Sequence, residues 1–113
     1  MQKISDETNY GESKKISIQL TLSCVYLGHF RKCRDTVDKL YSGQLLKPEQ
    51  DSCLFEGIQV VKYSAKFKEK LRELYEKGYN PVKASIGFVT FWYDKDKADE
   101  IKTILPILEF YKQ

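Results

Sequence analysis

The sequence predicts an α+β fold, a two-layer sandwich in which about three helices cover one face of a mostly antiparallel sheet of three to four strands. Residues 16–24 alternate between apolar and polar side chains, with the two-residue period of a strand that buries one face. Apolar positions at helical spacing follow in three later segments, at about residues 30–41, 64–77 and 95–105. Parallel strands are commonly buried on both faces. The alternation in 16–24 therefore favours an antiparallel sheet over the alternative, a parallel three-layer α/β fold.

The length and composition of the chain fit one domain. A chain of 113 residues has no room for a second hydrophobic core. Its content of 42% hydrophobic and 31% charged residues is typical of a globular protein rather than a disordered one. Residues 1–13 are polar and lack periodicity. We therefore expect a flexible N-terminal arm over 1–13 and a single α+β domain over 14–113.

The first half of the domain is predicted to form a strand, a helix and a second strand. After the alternating strand, a helix is expected from about Phe30 to Tyr41, with a stop at Ser42-Gly43. Residues 44–53 surround a proline and predict a loop. A short strand over Leu54–Val61 follows from its β-branched side chains.

The second half is predicted to form a helix, a strand and a last helix. Ser64 is placed to cap the helix at 64–77, and Gly78 to end it. The strand from about Lys83 to Tyr93 is apolar on both faces toward its end. Pro106 kinks or ends the last helix, so Ile107–Tyr111 is left open between an edge strand and a continued helix.

Composition also limits the location and the chemistry. The net charge of +3 permits an anionic partner without requiring one, and no apolar run reaches the ~18 residues that cross a bilayer. Three cysteines, Cys24, Cys33 and Cys53, cannot all pair, which suits a reducing compartment. Together with His29 they have the residue types of a zinc site with three cysteines and one histidine, but the chain lacks the Cys-x-x-Cys spacing that such sites commonly have. We expect a cytoplasmic protein with no metal, no cofactor and no membrane contact.

Two aromatic segments resemble the paired strand motifs of the RNA recognition motif family. Residues 25–30 (VYLGHF) resemble the shorter motif, and residues 84–91 (ASIGFVTF) resemble the longer one, without its leading basic residue and glycine. The resemblance implies that Tyr26 and Phe88 stack on bases. If the alternation of 16–24 continues, Tyr26 faces the core, whereas a bulge near Cys24 turns it to solvent. Both orientations stay open.

A basic cluster follows the first motif. His29, Arg31, Lys32 and Arg34 lie at the start of the predicted helix, where free backbone N–H groups favour an anion. This pattern is that of a phosphate-binding site. The alternative is a solvated basic turn that nearby aspartates balance.

Three functional hypotheses follow from these residues. The first is a small non-enzymatic protein that binds RNA or single-stranded nucleic acid through the basic helix start, with Tyr26 and Phe88 as stacking residues. The second is a protein–protein interaction module, a regulator or inhibitor, whose interface contains Phe88, Trp92 and Tyr93. The third is a small enzyme for a phosphate-bearing substrate, with His29 and Cys33 as base and nucleophile. The expected partner is thus a nucleic acid or a protein, and a homodimer is left open.

Overall fold

Six antiparallel strands form a curled sheet in the computed structural model, which describes residues 14–112. The strands are β1 (Lys15–Gln19), β2 (Leu45–Pro48), β3 (Ser52–Phe55), β4 (Ile58–Lys62), β5 (Tyr79–Asp94) and β6 (Asp99–Lys112). They lie in the order β1-β6-β5-β2-β3-β4, and every pairing is antiparallel, which excludes the parallel alternative. The predicted flexible arm, residues 1–13, falls outside the described residues.

The helices of the described chain are α1 (Leu27–Lys32), α2 (Arg34–Val37) and α3 (Ala65–Glu76). The predictions for α3 are confirmed at both ends. The Ser64 hydroxyl accepts a hydrogen bond from the backbone N–H of Phe67 at 3.2 Å, and Gly78 follows the helix with a φ of +95°. The predicted helix at 30–41 is instead two short helices, which the non-helical backbone of Cys33 separates.

The predicted two-layer sandwich with three to four strands is wrong. The sheet has six strands and curls, and strand accounts for 51% of the structure against 26% for helix. Two of the three helices have only six and four residues. Such short helices do not make a layer that covers one face of a flat sheet. The described residues nevertheless form a single domain of mixed α and β content.

The strand β6 occupies the segment for which a last helix was predicted. Ile101, Thr103, Ile104 and Leu105 are all buried, so both faces of this part of β6 are covered. A strand that is buried on both faces has no two-residue alternation, and its apolar residues happened to match helical spacing. The segment Ile107–Tyr111, which the sequence left open, continues the same strand.

A missed hairpin explains the other additional strands. The predicted strand 54–61 is broken at Glu56 and Gly57, where both residues have positive φ values of 51° and 83° and form the turn between β3 and β4. The predicted loop 44–53 contains β2 and the start of β3. The Gly57 turn between two apolar runs was the sequence signal for this hairpin.

The hydrophobic core lies between the curled sheet and the three helices. Its fully buried members include Phe30 and Val37 from α1 and α2, Leu71 from α3, and Leu108 and Phe110 from β6. None of the helices in residues 14–112 is long and apolar enough to cross a membrane.

Pro106 lies within β6 although it has no backbone N–H to donate. Its carbonyl accepts a hydrogen bond from the N–H of Leu20 at 2.9 Å, just beyond the end of β1. The side-chain amide of Gln19 donates to the carbonyl of Leu20 and to that of Leu105, both at 3.0 Å. Gln19 therefore supplies the donor that the proline lacks, and the proline is tolerated where the β1 pairing ends.

Gly87 is required because the Gln19 side chain crosses the sheet beside it. A Cβ atom at Gly87 would overlap the Gln19 amide oxygen and would lie 2.8 Å from Cγ1 of Ile107. Gly87 also lies in a bulge of β5, between Ile86 and Phe88. The bulge changes which side chains of the following strand point to each face.

We expect Gly87→Ala to lower the free energy of unfolding by about 1–3 kcal/mol, because the Gln19 amide must leave its carbonyl partners. Urea denaturation measures this change. In a Gln19→Ala background the cost of Gly87→Ala should be smaller, since only the contact with Ile107 remains. Gly28→Ala is the matched control, as its Cβ would meet Tyr26 at 3.6 Å, an ordinary contact. Equal costs of Gly87→Ala in both backgrounds would contradict this account.

Candidate functional site

β5 and β6 continue beyond the rest of the sheet as a two-stranded ribbon, residues 88–105. The pairing of β2 with β5 reaches only Ser85, and that of β1 with β6 only Ile107. From Phe88 onward β5 pairs with β6 alone, up to the turn that follows Asp94. The molecule is correspondingly elongated, with extents of 53 × 26 × 25 Å.

Three aromatic side chains of the ribbon point into solvent. Phe88, Phe91 and Tyr93 are 59%, 57% and 56% exposed. Phe91 and Tyr93 share one face of β5, because side chains two residues apart in a strand point the same way. Of the predicted interface residues, Phe88 and Tyr93 are therefore exposed. The sequence prediction did not single out Phe91, although its spacing from Tyr93 was the available signal.

Trp92, the third predicted interface residue, lies on the opposite face from Phe91 and Tyr93. It is half-buried, and its strand partner Ile101 is fully buried. Its indole Nε1 is buried without a hydrogen-bond partner among the described residues. Trp92 thus belongs to the side of the ribbon that packs against the molecule.

Two arginines of the helices bind carboxylates at the tip of the ribbon. Nη2 of Arg31 is 2.9 Å from Oδ2 of Asp94. Arg34 makes a two-point contact with Asp99, at 2.6 and 3.2 Å, and also donates to the carbonyl of Glu100 at 3.2 Å. The structure thus places two of the predicted phosphate-binding residues in ion pairs with the ribbon. Of that cluster Lys32 is exposed.

These contacts shift the pKa values of both carboxyl groups. The hydrogen bond from Arg34 is the main cause that lowers the pKa of Asp99. For Asp94, burial raises the pKa, but the hydrogen bonds from Arg31 and from backbone N–H groups of the turn outweigh it, and the pKa is lowered. Hydrogen bonding to Asp99 likewise raises the pKa of Arg34. Both carboxylates are therefore charged in the fold over the whole neutral range.

Lys102 of β6 adds a second link to the helical segment. Its ammonium donates to the carbonyls of Asp38 and Leu40, at 3.1 and 2.7 Å, just after α2. These carbonyls lie at the C-terminal end of a helix, where a cation is favourable. Nothing in the sequence singles out Lys102, because its partners lie more than 60 residues away in the chain.

The side chains of His29 and Cys33 contact backbone carbonyls of β4. Nε2 of His29 donates to the carbonyl of Gln59 at 2.7 Å, and Sγ of Cys33 lies 3.8 Å from the carbonyl of Val60. Burial raises the pKa of the Cys33 thiol. A nucleophilic cysteine needs a lowered pKa, so this environment does not activate it. His29 and Cys33, the base and nucleophile of the enzyme hypothesis, instead contact the backbone carbonyls of β4.

Tyr26 is solvent-exposed, which answers the question of its orientation. It precedes α1 rather than lying in a strand, and its side chain is 51% exposed. The ammonium of Lys62 lies 5.7 Å from the centre of its ring. The neighbours of β5 in the sheet are β6 and β2, so Tyr26 and Phe88 are not side by side on adjacent strands.

The three cysteines are free thiols, of which Cys24 and Cys33 are half-buried and Cys53 is buried. Cys53 is buried, and its Sγ is 3.2 Å from the hydroxyl of Tyr63. Burial raises the pKa of Cys53 to about 11. Within residues 14–112, no three His, Cys, Asp or Glu side chains are grouped as metal ligands.

Comparisons of the chain with protein-family models, with curated proteins and with solved structures found no match.

Acidification is expected to loosen the ribbon from the helices. Because the folded pKa values of Asp94 and Asp99 are lowered, their contribution to stability is complete above the ordinary aspartate pKa of about 3.9 and is lost as the pH falls through the folded values. The Tm of the wild-type chain should therefore fall below about pH 4. An Asp94→Asn/Asp99→Asn variant should start from a lower Tm at neutral pH and lose less of it on acidification.

The same titration needs a control for the remaining carboxylates. Glu76→Gln, at an exposed position on α3, should reproduce the wild-type pH dependence. Parallel curves for the wild-type chain and the double aspartate variant would contradict the role assigned to the two ion pairs.

Proposed function

We propose that this protein is a non-enzymatic protein–protein interaction module, a regulator or inhibitor, that contacts its partner through the ribbon. The observation that carries the proposal is the exposure of Phe88, Phe91 and Tyr93, each more than half accessible within six residues of one strand. Aromatic side chains are enriched in interfaces and dominate their binding energy. Scattered apolar residues on a surface need no explanation, whereas Phe91 and Tyr93 form a pair of exposed rings on one face of β5, and Phe88 adds a third on the opposite face.

The ribbon also supports the proposal by its rigidity. Arg31 and Arg34 hold its tip, and Lys102 holds β6 to the segment after α2. A partner that binds a preorganised strand loses little conformational entropy of this chain. The exposed rings are therefore presented in a fixed arrangement.

Nucleic-acid binding is the second candidate, and one observation favours it. Tyr26 is exposed, with the ammonium of Lys62 over its ring, so a flat aromatic surface and a cation are available together. The ion pairs of Arg31 and Arg34 count against it, because two of the cations assigned to phosphate already bind carboxylates. This pairing places the candidate second.

Photo-cross-linking from the ribbon tests the interaction module. We expect p-benzoylphenylalanine at position Phe91 to give adducts with a discrete protein on irradiation in an extract of the source cells. The same group at Tyr111, which is 40% exposed at the far end of β6, should not. Adducts are resolved by electrophoresis and identified by mass spectrometry. No adduct from Phe91, or the same adducts from both positions, would refute the proposal.

Fluorescence anisotropy with short labelled RNA and single-stranded DNA, at two salt concentrations, tests the second candidate. If it holds, binding at micromolar protein weakens with salt, and Tyr26→Ala and Lys62→Ala each weaken it further. A stacking residue of this kind contributes roughly 1–3 kcal/mol, or about 5- to 150-fold in affinity. Absence of salt-dependent binding would remove the nucleic-acid candidate.

A further inference from the structure

Within residues 14–112, nothing pairs with the outer edge of β5 along the ribbon. The turn at Tyr41–Gln44 completes the pairing of β5 on this side: Gly43 donates to the carbonyl of Ile86 at 2.7 Å, and the Ser42 hydroxyl donates to that of Gly87 at 3.2 Å. Beyond this point, the backbone of residues 88–93 makes no hydrogen bond to any described residue outside the β5–β6 pair. A strand edge of this kind is a template for another strand.

The other sheet edges of the described residues carry protective features, and these include the outer edge of β6 along the ribbon, where Glu100 and Lys102 are charged and Arg34 donates to the carbonyl of Glu100. The edge of β4 is covered by α1 and the residue before it: His29 of α1 donates to the carbonyl of Gln59, and the N–H of Tyr26 donates to that of Lys62. The edge strand β1 has only five residues and begins with a lysine. Short length and lysine are usual means of discouraging strand addition. In contrast, residues 87–93 (GFVTFWY) contain no charge and no proline. The free edge of β5 therefore has the composition of an interface.

We propose that a second copy of this chain pairs with the free edge of β5, antiparallel and about a two-fold axis at Phe91. This inference rests on the proposed function and names the partner as the protein itself. The free stretch from Phe88 to Asp94 has Phe91 at its centre, so two copies align over its full length. The tip of each ribbon then lies next to the 41–44 turn of the other copy, where the pairing ends.

The inner cross-strand pairs in this arrangement are of favourable types, whereas the outermost pair sets Phe88 opposite Asp94 of the partner subunit. Phe91 lies opposite Phe91 of the partner subunit, Val89 lies opposite a tyrosine (position 93), and Thr90 lies opposite a tryptophan (position 92). Aromatic–aromatic and aromatic–β-branched pairs are among those that stabilise antiparallel sheets. No like charges meet between positions 88 and 94, because the stretch has a single charged residue, Asp94, at its end. The edge is thus complementary to itself.

The area available predicts a weak dimer. Phe88, Phe91 and Tyr93 each expose more than half of roughly 200 Å², which gives about 700 Å² of aromatic surface for two copies. Tyr41, 65% exposed beside the end of the free edge, adds to it. The total lies near or below the ~1,200 Å² at which stable interfaces begin. We therefore expect monomers and dimers to exchange with concentration.

Sedimentation velocity of the full chain tests the proposal, from about 10 µM to about 1 mM, the range in which so small an interface dissociates. The wild-type sedimentation coefficient should rise toward that of a dimer. Phe91→Lys, which sets two lysines against each other at the axis, should stay monomeric throughout. Tyr111→Lys, the same kind of change at the far end of β6, should behave as the wild type. Circular dichroism establishes that each variant is folded.

Disulfide trapping gives a second measurement if Phe91→Lys does not fold. Under mild oxidation Phe91→Cys should form a covalent dimer, because side chains at the axis are within reach of a disulfide. Tyr111→Cys and the wild-type chain, with its native thiols, should remain monomeric.

The outcomes separate this proposal from the proposed function. A wild-type chain that stays monomeric at all concentrations, or a dimer that Phe91→Lys leaves intact, overturns the second-copy proposal. If in that case the cross-linker at Phe91 still captures a different protein, the interaction module stands with another partner. If it captures nothing, both proposals fail.

Discussion

The ion pairs between the short helices and the ribbon are the contacts on which the arrangement of the molecule depends. A two-stranded ribbon has little stability of its own in water, and the burial of Ile101 and Ile104 in the core holds the middle of this one. Here the two carboxylates at its tip, Asp94 and Asp99, are held by Arg31 and Arg34. The helices are themselves too short to be stable alone. Each partner therefore depends on the other, and the core residues Phe30 and Val37 fill the space between them and the sheet.

This link also decides which side of the ribbon is exposed. Asp94 shares a face of β5 with Trp92, so the helices that bind Asp94 lie on the Trp92 side. Phe91 and Tyr93 point the other way and remain in solvent. The same arginines that the sequence offers for an anion are neutralised by the fold. The ion pairs thus weaken the case for a phosphate site and, by fixing the ribbon, strengthen the case for a protein interface.

The bulge at Gly87 is the second constraint on the site. Before it, Ala84 and Ile86 are buried, whereas Phe88 immediately after it is exposed, opposite the buried Leu105. Gln19 fills the space above the glycine and replaces the donor missing at Pro106. The end of β1, the bulge and the start of the free edge therefore meet at one point. A substitution at Gly87 therefore alters the backbone next to Phe88, where the proposed interface begins.

The sequence alone determined the elements whose signals are local. The helix α3 was predicted from its cap at Ser64 and its end at Gly78, because both act through backbone groups a few residues away. The strand at β1 was predicted from alternation, but the prediction over residues 16–24 was too long, because β1 ends at Gln19 and Leu22–Cys24 form a turn of 3-10 helix. The aromatic strand β5 was recognised as a candidate interface. Tertiary structure decided the rest. β6 is buried on both faces, so it has no strand periodicity to detect. The partners of Arg31 and Arg34 lie more than 60 residues away, and only the curl of the sheet brings them together. The ion pairs of Arg31 and Arg34 also leave Phe91 exposed and cover the face of β5 that carries Trp92. Alternation along a strand defines two faces, but it does not say which of them the protein covers.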